Sequence, residues 1–313
     1  MIAYAVRRIL ATLPVMAMVA LLVFSLLYVT PGDPAAIIAG EHATAEDIAR
    51  IRTELGLDRP YLVRFGEWAW QVMHGDLGKS VFSGLPVTHM ILQRVEPTVL
   101  LMIMTMCVSV TLAVPAGVIA AWRNGSPVDR AITALAVFGF SVPVFVIGYL
   151  LAYVFALELG WFPVQGYTPM SESFIDAIRS LTLPAITLGA AYAALIARIT
   201  RATTLEVLSQ DYIRTARAKG LGRFAVLFLH ALKNAAVPIV TVVGIGVALL
   251  IGGSVAAETV FAIPGLGRMT VDAILRRDYP VIQGVLLLFS FSYVLINLAV
   301  DLLYSAFDPR IRY

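Results

Sequence analysis

Six stretches of this chain contain no Asp, Glu, Lys, Arg or His: Ile9–Val29, Pro97–Trp122, Ala131–Leu157, Leu181–Ala197, Ala235–Ala257 and Val281–Val300. At about 1.5 Å of rise per residue, the first of them is long enough to cover the ~30 Å hydrocarbon core of a bilayer. A backbone in hydrocarbon must satisfy its own polar groups, so runs of this kind read as helices. Charged residues are only 14% of the chain, against about 25% in a soluble domain. The expected fold is all-α: a polytopic membrane protein with about six transmembrane helices. A net charge of +3 is too small to suggest nucleic acid as a partner, and the lipid bilayer takes that place.

The first run reads as a retained helix. A cleavable signal would have an apolar region of about 7–15 residues followed by an A-x-A-like site, and neither is present. Thr30-Pro31-Gly32-Asp33-Pro34 stops it, giving an N-terminal membrane segment over 1–33. Residues 34–96 form the largest polar section and read as an extracytoplasmic helical segment. Thr44-Ala45-Glu46-Asp47 is a capping signal, followed by an apolar stripe of Ile48, Ile51 and Leu55 and a stop at Gly56. Asp58-Arg59-Pro60 opens another helix, with Leu62, Phe65, Trp68 or Ala69, and Val72 on one face and an end at Gly75. Trp68 and Trp70 suit a membrane interface. Two readings of this section stand side by side: a cap on the bundle, or a surface that receives substrate. Gly75-Asp76-Leu77-Gly78-Lys79-Ser80 imitates a phosphate-cradling loop, but that loop needs Gly at position 73, which is Met73.

Residues 97–313 read as the main transmembrane domain, five helices with a coupling loop over 200–235. Pro115 is expected to kink the second run. Ser141, Pro143 and Gly148 mark the third as bent or closely packed. The fourth is short and ends at Arg198 and Arg201. Gly244, Gly246, Gly252, Gly253 and Ser254 permit close helix contact in the fifth. Pro115, Ser141, Pro143 and these four glycines are the hinge and pathway candidates. Glu158–Ser180, with Trp161 and Tyr167 as interface anchors, and Glu258–Pro280 read as loops.

Six spans place both termini on one side. With the Arg7/Arg8 end assigned to the cytoplasm, thirteen of the 23 Lys and Arg fall inside and ten outside. Six of those ten lie in the long first loop, so the short loops divide thirteen to four in favour of this orientation.

Between the fourth and fifth runs lies the only long basic segment of the C-terminal half, Ser209–Pro238. Ser209 or Asp211 is placed to cap a short helix over Tyr212–Lys219. Gly220 is its stop, and Leu221 sits where a Schellman motif takes an apolar contact. A second helix restarts near Gly222 and runs into the fifth span. The product is a helix–Gly–helix elbow carrying Arg214, Arg217, Lys219, Arg223 and Lys233. Tyr212, Ile213 and Leu221 read as an apolar knob for a soluble partner, with the basic residues suited to an acidic rim. The bland alternative is that these charges only enforce orientation.

The uncharged interior limits the chemistry. Coupled carriers commonly bind their ion with intramembrane carboxylates, although backbone carbonyls also hold sodium. A nucleophile needs a base beside it, and Tyr192, Asn297 and the span hydroxyls have no His or acid nearby in sequence. His42, His74, His89 and His230 match no metal-ligand spacing, and Cys107 reads as packing. No catalytic residue, metal or cofactor is assigned to this chain, so energy for transport must come from a partner.

Asp211-Tyr212-Ile213-Arg214-Thr215-Ala216-Arg217-Ala218-Lys219-Gly220-Leu221 resembles the cytoplasmic signature loop of bacterial ABC importer permeases, and in particular the first membrane subunit of the dipeptide/oligopeptide branch. The general importer pattern has Glu-Ala-Ala where Arg214-Thr215-Ala216 stands here. The acidic first residue, and any salt bridge through it, is therefore absent. His230-Ala231-Leu232-Lys233-Asn234-Ala235, Gly75-Asp76-Leu77-Gly78, Leu159-Gly160-Trp161-Phe162-Pro163, Glu258-Thr259-Val260-Phe261, Ile263-Pro264-Gly265-Leu266-Gly267, Arg277-Asp278-Tyr279-Pro280 and the Asp308-Pro309-Arg310 tail are similar to family landmarks in the same order. The resemblance implies a type I ABC importer permease in the inner membrane, coupled to ATPase subunits through residues 211–221. It further implies a second homologous permease, two cytoplasmic ATPases that hold the ATP and Mg, an extracytoplasmic substrate-binding protein, and a peptide substrate. The family also moves nickel chelates, glutathione, haem and opines, and an autonomous secondary carrier is the alternative from another class.

Overall fold

The structure is a computed structural model that describes residues 2–29, 33–39, 43–54 and 56–307. In chain order the helices are α1 (Ile2–Val29), α2 (Pro34–Ala39), α3 (Ala45–Glu54), α4 (Tyr61–Met73), α5 (Val87–Trp122), α6 (Pro127–Ser141) and α7 (Val144–Leu151), which continues as a π turn over Ala152–Glu158. Then come α8 (Phe174–Leu208), α9 (Asp211–Ala218), α10 (Arg223–Ala225), a second π turn over Val226–Leu232, α11 (Lys233–Val260), α12 (Leu266–Arg276) and α13 (Tyr279–Phe307). Among the described residues five helices are long and apolar enough to cross a membrane, and the bent pair α6–α7 makes a sixth if it is one span. The expected stop at Thr30–Gly32, Leu55 of the α3 stripe and the Asp308-Pro309-Arg310 tail lie outside the described residues, as do the side chains of Arg7, Arg8, Ile51 and Arg223.

Several boundaries differ from the hydropathy reading. α5 starts ten residues before Pro97, because the turn at Lys79–Pro86 closes just ahead of it and Pro97 is accepted inside the helix. α8 starts at Phe174, inside the expected loop, where Ser173 caps the helix by accepting the Asp176 N–H at 3.3 Å. It also runs on past Arg198 and Arg201 to Leu208, since a charge ends a membrane span but not a helix. α11 likewise extends beyond Ala257 and takes Glu258 into its last turn, wholly buried. An ionisable group is therefore present inside a long helix, and the charge-free interior holds only for the narrower sequence boundaries. Between α6 and α7 the chain bends by 101° at Val142–Pro143. There Pro143 removes an N–H, and the Ser141 hydroxyl turns back to the Val137 carbonyl at 2.8 Å.

The chain divides into two compact units. One comprises residues 2–95 and 268–294. In it Phe24 of α1, 4% exposed, is surrounded by Tyr61, Phe65 and Trp68 of α4 at ring distances of 5.3–5.5 Å. The inner face of α4 is thus Tyr61, Phe65 and Trp68. Leu62, expected there, is 76% exposed. Thr44 caps α3 as expected, exchanging bonds with Asp47 that hold its carboxyl below the usual range. The Gly75–Ser80 segment leads into a tight turn, closed where Ser80 N–H bonds to Leu85 O and Val87 N–H to Gly78 O. The buried Ser80 hydroxyl donates to Asp278 at 2.5 Å.

The other unit comprises residues 96–267 and 295–307 of the described chain, and α5, α6, α7, α8 and α11 form its body. Leu101, Leu181, Leu188, Leu250 and Phe261 belong to one buried apolar cluster in it. α5 and α8 approach closely at Gly117 of α5: a methyl group there would stand 2.7 Å from the Ala197 carbonyl and 2.7 Å from Thr200. Cys107, read as packing, instead lies on the exposed face of α5.

Candidate functional site: the glycine-jointed elbow and its supports

The elbow forms as a capped unit. α9 covers Asp211–Ala218, and its cap position is Gln210, with no side-chain bond. Ser209 instead ends α8, and Asp211 lies in the first helical turn. At the other end Gly220 takes φ +83°. The Leu221 N–H returns to Ala216 O at 3.2 Å and the Gly220 N–H to Arg217 O at 3.0 Å, the paired bonds of a Schellman motif. Leu221 packs with Leu208 against Ile213, Ala216 and Val226, which completes the apolar contact of that motif.

This packing divides the expected site residues into two faces. Ile213 is fully buried, Ala216 is buried and Leu221 is partly buried. They hold the elbow to its own chain and are not an external knob. Asp211, Tyr212, Arg214, Thr215, Arg217, Ala218, Lys219 and Gly220 are exposed. Sequence spacing alone could not show which apolar side chains the following helix would cover. Arg214 and Asp211 form an exposed pair at 3.2 Å, of little energetic weight. Beneath α9 a cavity of about 430 Å³ is bordered by Trp122, Arg217, Leu221 and Leu227. The Phe224 ring meets Trp122 at 5.3 Å and Phe228 at 6.5 Å.

A second support joins α6 to α8. Arg201 addresses Asp129 with both arms, Nε to Oδ1 at 2.5 Å and a terminal nitrogen to Oδ2 at 2.8 Å. Asn124 accepts from the same guanidinium at 3.1 Å, and the Gly125 N–H donates to Asp129 at 2.9 Å. The pairing was not legible from the sequence, although Ser126-Pro127-Val128-Asp129 is a capping signal, and Ser126 does accept the Asp129 N–H.

The hinge and pathway candidates scatter. Pro115, Ser141 and Pro143 are exposed, the last two at the 101° bend. Gly244 packs against Val300, Gly246 lies near Met106 and Tyr192, and Gly253 meets the Tyr192 hydroxyl. Gly252 has open space beside it and serves no close contact. Gly148 is buried against Thr187, Val260 and Phe261. Tyr167 donates to Glu96 at 2.5 Å, and burial, with that carboxylate beside it, pushes its hydroxyl above the usual phenol range. No cluster of metal-ligating side chains occurs among the described residues.

Long apolar helices of membrane-spanning length and a solvent-facing amphipathic helix packed against two of them define a multi-span membrane protein with an exposed elbow. The chain belongs to the family of binding-protein-dependent transport system inner membrane components: the profile of that description matches residues 113–313, and that of the family's N-terminal part matches residues 1–112. It is 56% identical over 310 residues to the protein described as "Probable peptide ABC transporter permease protein y4tP" of Sinorhizobium fredii, covering 99% of each chain. It is 46% identical over 314 residues to the glutathione transport system permease protein GsiC of Escherichia coli K12, covering 100% of each. A solved structure of the methionine ABC transporter MetNI in an inward-facing conformation shares the fold, with a TM-score of 0.59 at 20% identity over 70% of this chain and 96% of that one. Family membership, with five to six apolar helices among the described residues, makes this an inner-membrane, multi-pass permease of the ABC importer type.

Proposed function

We propose that the chain is the first permease subunit of a di- or oligopeptide importer, paired with a second homologous permease and driven by two cytoplasmic ATPases. The observation that carries the coupling part is the two-faced α9: Ile213 and Ala216 anchor it inward while Tyr212, Arg214, Arg217 and Lys219 stand in solvent. ATPase closure pushes on residues 211–221. The Schellman turn passes that push to the stretch that leads unbroken into α11. Both termini are cytoplasmic in this reading, as the distribution of Lys and Arg supports. ATP and Mg belong to the partner subunits, and this chain holds no cofactor. An extracytoplasmic binding protein delivers the cargo to the outward segments at 34–96 and 258–280. The main transmembrane domain is 97–313, with 1–33 as N-terminal membrane segment and 34–96 as outward helical segment.

The peptide assignment rests on full-length similarity to the S. fredii protein, and glutathione, the cargo in the GsiC name, is itself a tripeptide. Reconstitution tests the reading. The subunit with its genetic neighbours in proteoliposomes is expected to take up a labelled dipeptide only with ATP inside. Uptake by this polypeptide alone, unaffected by ATP depletion, would falsify it.

A further inference from the structure

A crevice of about 200 Å³ lies between α6 and α8. Its walls are apolar, with Val137 and Phe140 on one side and Ala194 and Leu195 on the other. Arg198 and Arg201 stand at its mouth. The two cations differ in their engagement. Arg201 is held by Asp129 and Asn124. Arg198 is exposed and pairs with no acid among the described residues. The depth of the mouth follows from the helix. Arg179 and Arg198 bracket an uncharged stretch over Ser180–Ala197. At about 1.5 Å per residue it spans roughly the hydrocarbon thickness. Arg198 is therefore at headgroup depth on the elbow side, and the apolar walls continue from there into the hydrocarbon. Val137 and Phe140 are 59% and 70% exposed, so the crevice opens sideways. The hydroxyl at its inner end, on Ser141, already donates to Val137. A polar cargo finds few groups to bond there, whereas an acyl chain needs none.

We propose that this crevice seats an acidic phospholipid, its phosphate on Arg198 and one acyl chain along Val137 and Phe140. The apolar depth and the single unpaired cation at its rim select this occupant over a zwitterionic lipid, because a fixed cation favours net negative charge. The test uses the assembled transporter in detergent, titrated with phosphatidylglycerol or phosphatidylcholine and read by native mass spectrometry. Phosphatidylglycerol adducts are expected to outlast phosphatidylcholine adducts. Arg198→Gln is expected to cut that preference about fivefold, the effect of one cation at an anionic surface. Val137→Trp, on the exposed rim, should reduce retention of both lipids and serves if Arg198→Gln fails to assemble. Unchanged preference in Arg198→Gln with unchanged retention in Val137→Trp overturns the proposal. So does competition by glycerol 3-phosphate at matched concentration, which would mean the headgroup alone binds. Displacement of the lipid by a di- or tripeptide also overturns it and gives the crevice to the transport path.

Discussion

The Thr98 hydroxyl donates to Oε1 of Glu258 at 2.8 Å, while the Thr98 oxygen accepts the Leu266 N–H at 2.8 Å. One side chain of α5 thus fastens both the end of α11 and the start of α12. Around the carboxylate there is no slack, since a methyl group at Gly265 would stand 2.3–2.4 Å from it. Thr98→Val keeps the shape and removes the hydroxyl, deleting both bonds at a cost of about 1–3 kcal/mol. A lower thermal midpoint in detergent is expected for Thr98→Val, with Thr98→Ser near wild type. Equal midpoints for all three proteins would mean that the bond contributes nothing.

The two faces of α9 give opposite phenotypes. Ile213→Ala removes a fully buried side chain and is expected to cost about 2–5 kcal/mol of local stability, read as faster hydrogen exchange across 208–226. Tyr212→Ala, on the exposed face, should leave that exchange unchanged and weaken co-purification of the ATPase subunits. Identical behaviour of the two variants would contradict the inner and outer assignment.

A methyl group placed on Gly220 would meet no neighbour within 4 Å, so replacing this glycine costs backbone strain alone. At φ +83° a β-carbon is unfavourable by roughly 1 kcal/mol. Gly220→Leu is expected to uncouple ATP hydrolysis from uptake, and Gly220→Asn to do so less, because Asn tolerates the left-handed region. The ratio of ATP hydrolysed to substrate moved is the measurement. An unchanged ratio for Gly220→Leu would remove the turn from the coupling path.

The Asp129–Arg201 fork is planar and two-pronged, which Lys cannot reproduce. Asp129 is 4% exposed, whereas the Arg201 side chain is 30% exposed, so solvent screens part of the attraction. A double-mutant cycle on thermal unfolding with Asp129→Asn and Arg201→Gln is expected to give a coupling of about 1–3 kcal/mol. Arg201→Lys should recover less than half of it. Strict additivity would show the pair to be independent.

Most of the architecture was legible because membrane helices declare themselves by length and the absence of charge. The Schellman turn was legible too, since Gly220 followed by Leu221 is a local signal. What escaped the sequence was of two kinds. Helix ends escaped where the helix outlasts its apolar segment, as at Val87, Phe174 and Glu258, because a boundary of hydropathy is a boundary of solvent and not of backbone hydrogen bonding. Partners distant in sequence also escaped. Asp129 and Arg201 are 72 residues apart and Thr98 and Glu258 160 apart, so only the folded chain brings them together. Ile213 turns out to be an inward residue for the same reason: its cover, Val226, lies beyond Gly220 in the π turn that leads to α11.

At Gly117 the backbones of α5 and α8 nearly touch, with room for a hydrogen and nothing more. Sliding one rod along the other would drive Gly117 against Thr200 and the Ala197 carbonyl, so the contact resists shear. The bend at Val142–Pro143 is the opposite kind of joint: there α6 and α7 share a backbone but no helical ladder, and a change of angle costs no interpenetration.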